Sequence, residues 1–151
     1  MISRGPLYTA WPSVFRVVVG LYWLYFASQK WTGVGWMHGV MDSMAKDNPI
    51  PGLHQILVAL VAPNWFPFAV AEGVGETVVA VLLILGLVTR WAPILGFLLA
   101  VGIALTVAFA VTDDGFRWLY YLGVLVNAQL IASGPGPYTL GRLGWVPSWL
   151  R

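Results

Sequence analysis

The feature that most constrains this chain is an apolar run of membrane-spanning length that carries two acidic residues. Residues 66–88 are almost all apolar, yet Glu72 and Glu76 lie four positions apart within them. About 20 apolar residues span the hydrocarbon core of a bilayer, and an ionisable side chain at that depth indicates a functional site. Since residues four apart share one helix face, the two carboxylates repel each other unless a cation or a shared proton lies between them.

Composition places the chain among polytopic membrane proteins. Of its 151 residues, 59% are hydrophobic and 9% are charged, whereas a soluble domain has roughly 25% charged residues. The formal net charge is +2 and no basic run is present, so nucleic acid is not expected as a partner. The chain has no cysteine, which excludes disulfides, thiol redox chemistry and iron–sulfur clusters held by its own residues.

The hydropathy pattern predicts an all-α integral membrane protein, folded in the lipid bilayer as a single four-helix bundle. The four transmembrane helices are expected at about residues 12–30, 66–88, 91–111 and 117–133. The first loop is extended, and its apolar stretch at 53–62 is too short to span, which predicts an interfacial or re-entrant helix. The C-terminal tail at 138–151 carries Trp145 and Trp149 and is expected to lie along the membrane interface.

Loop charges favour the cytoplasmic (inner) cell membrane, with both termini in the cytoplasm. The side that holds the termini carries four basic residues and no acid: Arg4, Arg90, Arg142 and Arg151. The opposite side carries three basic residues: Lys30, Lys46 and Arg117. Because cytoplasmic loops are enriched in lysine and arginine, the first loop at 31–64 is expected outside the cytoplasm.

A stripe of small residues follows the third predicted span. It consists of Gly96, Ala100, Ala104 and Ala108, which recur at every fourth position. Small residues at this spacing allow two helix backbones to approach closely. The stripe therefore predicts a packing surface, either within the bundle or against another subunit.

Depth along the helices separates the polar residues into two layers. With a rise of about 1.5 Å per residue, Lys30, Glu72 and Glu76 lie about 28, 27 and 21 Å from the side of the termini. Arg16 lies only about 7 Å from that side, too far away to reach either glutamate. The outer layer is expected to comprise Gln29, Lys30, Glu72 and Glu76, roofed by a loop with Trp31, His38, His54 and Trp65. The inner layer is expected to comprise Arg16, Asn127 and Gln129.

Several of these residues also have a purely structural interpretation. Arg16 and Lys30 could extend their side chains to the headgroups, and Glu72 could be an ordinary acid at a helix start. Asn127 and Gln129 could be interhelical hydrogen-bonding residues. Three residues of the first span share one helix face, where they either pack or line a cavity that leads to the outer layer: Tyr22, Tyr25 and Gln29.

Two segments resemble the DoxX/DoxD-like family of small four-helix membrane proteins. The first is Arg16-x-x-x-Gly20 followed by Lys30, and the second is Glu76 followed by a leucine-rich run and Leu-x-x-Gly-Leu-x-Thr-Arg at residues 83–90. The resemblance implies a membrane subunit linked to respiratory redox chemistry. DoxD-type members belong to thiosulfate:quinone oxidoreductases, in which electrons from a sulfur compound pass to membrane quinone.

Together with the polar outer layer, the resemblance favours quinone as the cofactor. A quinone head requires hydrogen-bond donors for its carbonyls and a titratable group for its protons, beside an apolar channel for its tail. Lys30 is the candidate donor and Glu76 the candidate proton carrier. Four further residues are expected to assist in binding: Gln29, Glu72, Tyr25 and His54. No metal or haem site is evident, so electrons are expected from a partner oxidoreductase or directly from a substrate.

Two other functions remain open from the sequence alone. The chain could be a non-catalytic structural or assembly subunit of a larger membrane complex, using the small-residue stripe as a contact surface. It could also be a small proton-coupled carrier in which Glu72 and Glu76 relay protons. Because four helices are few for a carrier, this last function would require a homo-oligomer.

Overall fold

The computed structural model describes residues 6–134, 136–142 and 147, and this part of the chain is helical without any strand. The helices are α1 (Pro6–Trp31), α2 (Trp36–Asp47), α3 (Pro51–Ile56), α4 (Trp65–Leu85), α5 (Trp91–Ala110) and α6 (Asp114–Ser133). Helix α3 continues into a π-helical turn, Leu57–Val61, and a short 3-10 turn covers Leu140–Arg142. The predicted all-α fold is confirmed. The predicted tail residues Trp145 and Trp149, like Arg4 and Arg151, lie outside the described residues.

Three of the described helices are long and apolar enough to cross a membrane. They are Ala10–Trp31 within α1, Trp65–Leu85 and Trp91–Ala110, in agreement with the first three predicted spans. The fourth predicted span coincides with α6, which has 20 residues. Helix α6 is long enough but less apolar, since it includes Asp114, Arg117, Asn127 and Gln129. A bundle of four spans therefore stays a prediction.

The helix ends follow from local sequence. Helix α4 ends at Gly86, which has a left-handed backbone with φ of 67°. The N–H of Gly86 donates to the carbonyl of Leu83, and the N–H of Leu87 donates to that of Leu82, which is the bonding of a Schellman motif. Helix α6 starts at Asp113, whose carboxylate accepts a hydrogen bond from the N–H of Phe116. Asp113 is thus an N-cap of the type that stabilises a helix start.

Antiparallel packing of α1 on α4 and of α5 against α6 forms the main core. Gly20 brings α1 close to α4, because a Cβ at this position would lie 2.7 Å from the Ile84 side chain. The buried core comprises Val19, Trp23, Val79, Ala80, Leu83, Ala92, Ala100 and Leu130. We call the end near the N-terminus of α1 the inner end, and the end near its C-terminus the outer end.

Helix α2 and the α3–π segment cover the outer end. Their second core comprises Met37, Met41, Met44, Ala45, Leu57, Val61, Ala69 and Val107. The Asn48 side chain anchors the end of α2, because its Nδ2 donates to the carbonyl of Leu105 at 2.8 Å. The short helix predicted at 53–62 thus corresponds to α3 and its π-helical turn, held between α2 and α4 rather than extended as a free loop.

The small-residue stripe of α5 packs within the chain. Gly96, Ala100, Ala104 and Ala108 are all buried. A Cβ on Gly96 would collide with the Oδ1 atom of Asn127 on α6. Of the two predicted uses of the stripe, packing within the chain is therefore the one that the structure shows.

Replacing Gly96 with alanine should destabilise the fold, because the added methyl group collides with a buried amide. We expect a loss of about 1–3 kcal/mol in the free energy of unfolding. Gly102 on the same helix provides the control, since nothing lies within 4 Å of its Cβ position. Thermal unfolding in detergent should show a lower midpoint for Gly96→Ala only. Equal midpoints for the two variants would contradict close packing at Gly96.

At the inner end, Arg16 bonds to backbone carbonyls. Its Nε donates to the carbonyl of Leu83 and its second guanidinium nitrogen to that of Tyr138, each at 2.8 Å. The last carbonyls of a helix have no partner within the helix, which makes the end of α4 a suitable acceptor. The N–H of Gly141 also donates to the carbonyl of Gly86 at 3.0 Å. The segment 136–142 is thereby held against the inner end.

The inner layer predicted from depth does not form as one cluster. Asn127 is fully buried, and its Oδ1 accepts a hydrogen bond from the indole Nε1 of Trp23 at 3.2 Å. Its Nδ2 donates to the carbonyl of Gly123 within α6. Gln129 is exposed, because a separation of two residues turns it to another side of α6. Asn127 therefore connects α1 and α6 through its hydrogen bond with Trp23, while Gln129 lies on another side of α6.

Candidate functional site

The outer end contains a buried lysine held by two carboxylates. Lys30 Nζ lies 2.8 and 2.9 Å from the two carboxylate oxygens of Glu76. It also lies 3.1 Å from Oε1 of Glu72. An ammonium has three N–H donors and no acceptor. Lys30 thus donates to both oxygens of Glu76 and forms an ion pair with Glu72.

Helix geometry explains how this cluster forms. Lys30 lies in the last turn of α1, and the two glutamates lie on one face of α4, which runs the opposite way. The lysine stem packs beside Gly73, where a Cβ would lie in van der Waals contact with Lys30 Cβ and Cδ, 3.4 Å away. Next to the cluster, the indole Nε1 of Trp31 donates to Thr77 Oγ1 at 2.9 Å. The end of α1 is thus fixed to α4 by two independent polar contacts.

Burial differs sharply among the three charged groups. The side chains of Lys30 and Glu76 are 5% and 1% exposed, whereas that of Glu72 is 20% exposed. With two carboxylates for one ammonium, the cluster has one negative charge in excess when all groups are ionised. An uncompensated charge in a low-dielectric site is costly. The cluster is therefore suited to take up a proton or to hold another positively polarised group.

A cavity of about 560 Å³ adjoins the cluster, a size within the usual range of small-molecule sites. Lys30, Glu72 and Glu76 form its polar wall. The other walls are apolar and aromatic, and they include Tyr22, Phe26, Met37, Val40, Ile103 and Tyr120. Such a lining, with a few convergent polar groups, is typical of a ligand-binding cavity.

Aromatic rings form a continuous part of this lining. The ring of Phe26 lies 4.9 Å from that of Tyr22 and 5.5 Å from that of Tyr25, measured between centroids. It also lies 6.3 Å from the ring of Tyr120 on α6. These separations allow the edge-to-face and offset arrangements that aromatic side chains prefer. A flat aromatic or quinonoid ring would find matching surfaces here.

Part of the cavity lining is exposed on the surface of the bundle. Tyr25 of α1 and Phe116 of α6 line it and are exposed on the surface. Trp36 of α2, which is also exposed, lies on the same lining. Helix α1 is long and apolar enough to cross a membrane, so an opening beside Tyr25 would face lipid. A hydrophobic molecule could reach the cavity from the bilayer by this route.

Of the residues predicted for this site, the structure brings all but one to the cavity. Lys30, Glu76, Glu72, Gln29 and Tyr25 line it together. His54 lies on α3 and is not part of the cavity lining; within the described chain, its Nδ1 is buried without a hydrogen-bond partner.

His38, which was predicted only as part of the roof, also lies apart from the cavity. Its Nε2 is 3.7 Å from Asp42 Oδ2, and its ring is 4.9 Å from that of Trp65. Both partners belong to the surface of the outer end, where α2 meets the start of α4. The two histidines thus flank the outer end without reaching the charged cluster.

Sequence reasoning missed the walls that α2, α5 and α6 contribute. Met37 and Val40 of α2 and Ile103 of α5 look like ordinary core residues, and nothing in the sequence distinguishes them. Tyr120 could have been found by depth, because it lies about 9 Å along α6 from Asp114. That places its ring near the outer end, at the level of the predicted outer layer.

The fold and the site together define a helical membrane protein with a buried lysine–dicarboxylate cluster beside an apolar cavity. The sequence model of the DoxX family matches residues 12–109, which is more than half of the chain. The chain therefore belongs to the DoxX family. No curated protein and no solved structure matches it.

Proposed function

We propose that this DoxX-type chain is a membrane subunit that binds the head group of a quinone and supplies its protons. The observation that carries the proposal is the cavity, in which charged residues adjoin aromatic and apolar walls and part of the lining is exposed on the surface of the bundle. Such an exposed lining suits a ligand that is dissolved in the bilayer and carries an apolar tail. The proposal includes four spans in the cytoplasmic membrane with both termini in the cytoplasm.

The charged cluster supplies the polar chemistry of this site. Lys30 is the donor toward a carbonyl oxygen, and Glu76 holds and releases a proton within the sealed end of the cavity. Tyr22 and Tyr120 line the same space and offer further hydroxyl donors. A bound quinone accepts two electrons and two protons to become a quinol. A reduced sulfur compound, oxidised directly or by a partner oxidoreductase, is the proposed source of the two electrons.

Blocking the cavity from its roof should test this function. Gly39 of α2 lines the cavity and has nothing within 4 Å of its Cβ position, so Gly39→Trp can fill the space without disturbing the backbone. We expect the dissociation constant for a short-chain quinone, measured by calorimetry in detergent, to rise at least tenfold, equivalent to about 1.4 kcal/mol.

Gly52→Trp is the matched control. Gly52 lies in α3, outside the cavity lining, and has the same open space around its Cβ position. Its affinity for the quinone should equal that of the wild type. Absence of quinone binding by the wild type, or equal binding by Gly39→Trp and the wild type, would refute the proposed site.

The alternative of a structural or assembly subunit has weaker support from the structure. Its predicted contact surface was the small-residue stripe of α5, and those residues are buried within the chain. Contact with a partner oxidoreductase remains one of the two electron routes in the main proposal, beside direct oxidation of a reduced sulfur compound.

A further inference from the structure

The contacts of Lys30 imply that a ligand must compete for this lysine. Its Nζ donates to both carboxylate oxygens of Glu76, at 2.8 and 2.9 Å, and forms an ion pair with Oε1 of Glu72 at 3.1 Å. Since three carboxylate oxygens lie within 3.1 Å of Nζ, a quinone carbonyl that approaches Lys30 must compete with one of them. Access of a ligand to Lys30 therefore depends on which of the two glutamates can move away from the ammonium.

The two glutamates are not equivalent in this respect. Glu76 contacts Lys30 through both carboxylate oxygens and is sealed from solvent, so its departure would leave a buried charge without a partner. Glu72 contacts Lys30 through Oε1 at the longest of the three distances. Its side chain is 20% exposed, so its carboxylate can be rehydrated after it moves.

We propose that Glu72 is the exchangeable partner of Lys30, displaced by the carbonyl oxygen of an incoming ligand while Glu76 stays bound. The proposal rests on the function proposed above and specifies how the cavity selects its ligand. A neutral carbonyl is a weaker acceptor than a carboxylate, so Glu72 lowers the affinity of the site for the oxidised quinone. The displaced carboxylate remains at the cavity wall, where it can accept from a hydroxyl donor such as that of a quinol.

Removing Glu72 should therefore tighten quinone binding. For Glu72→Ala we expect the dissociation constant of a short-chain quinone to fall by roughly three- to tenfold, because one competing ionic partner of Lys30 is lost. The corresponding quinol should bind no more tightly, or more weakly, because its hydroxyl group loses an acceptor. Glu72→Gln, which retains the size of the side chain, should give a smaller gain for the quinone and covers the case in which the alanine variant folds poorly.

The outcomes separate this proposal from the function on which it rests. If the wild type binds the quinone but Glu72→Ala and Glu72→Gln bind it equally or more weakly, the exchange at Glu72 is refuted while the quinone site stands. Tighter binding of quinone and quinol alike would also refute it, since enlargement of the cavity would then explain the gain. If the wild type binds neither form, the proposed function itself fails.

Discussion

Replacement of Lys30 by methionine should be among the most destabilising single changes in this chain. It leaves Glu72 and Glu76 facing each other at the buried outer end without the ammonium that separates them. Removal of one partner of a buried ion pair typically costs about 3–5 kcal/mol. Thermal or chemical unfolding in detergent should register a loss of this size. Lys46→Met is the control, because Lys46 is exposed on α2 and its loss should change stability very little.

A second variant shows whether charge or packing causes the effect. The double variant combines Lys30→Met with Glu76→Gln. Its two buried side chains at positions 30 and 76 are neutral, and Glu72 alone remains charged at the wall of the cavity. Neutral replacement of a buried pair is often close to neutral in stability, so most of the lost stability should return. If the double variant is as unstable as Lys30→Met alone, lost packing of the lysine stem against Gly73, rather than unpaired charge, stabilises this end.

The charged cluster was accessible from sequence because long helices convert residue number into depth. Lys30 and Glu72 differ by about 1 Å in estimated depth, and the structure has them in contact. The same reasoning separated Arg16 from both glutamates, and Arg16 bonds instead to the end of α4. For two antiparallel helices in direct contact, depth along the helix axis is almost sufficient to show which residues meet.

Depth alone does not give the side of a helix on which a residue lies. Asn127 and Gln129 have nearly the same depth, yet one is buried against Trp23 and the other is exposed. The use of the stripe on α5 was also ambiguous, because its spacing indicates a packing surface but does not show whether the chain itself or another subunit packs on it. The two partners of Arg16 in the described part of the chain are backbone carbonyls, which have no signature in sequence. His54 was placed over the cluster by its loop, whereas α3 and its π-helical turn carry it away from the cavity.

Replacement of Glu76 by glutamine should reduce the rate of quinone reduction by about 10²–10⁴-fold, the usual contribution of a positioned proton donor or acceptor. The amide retains an oxygen that accepts from Lys30, and the Lys30–Glu72 pair remains, so the variant should fold. Quinol formation, measured in membranes supplied with a reduced sulfur compound, reports the rate.

Binding of the short-chain quinone to Glu76→Gln separates the proton role of Glu76 from a positioning role. The charge is lost, but the similarly sized amide side chain can still lie in the buried end beside Lys30, so the dissociation constant should change by less than the rate. Asp114→Asn is the control, since Asp114 is exposed and pairs with Arg117 outside the cavity, and its rate should equal that of the wild type. An unchanged rate for Glu76→Gln at every pH would remove Glu76 from the proton path. Glu76 would then be a purely structural partner of Lys30.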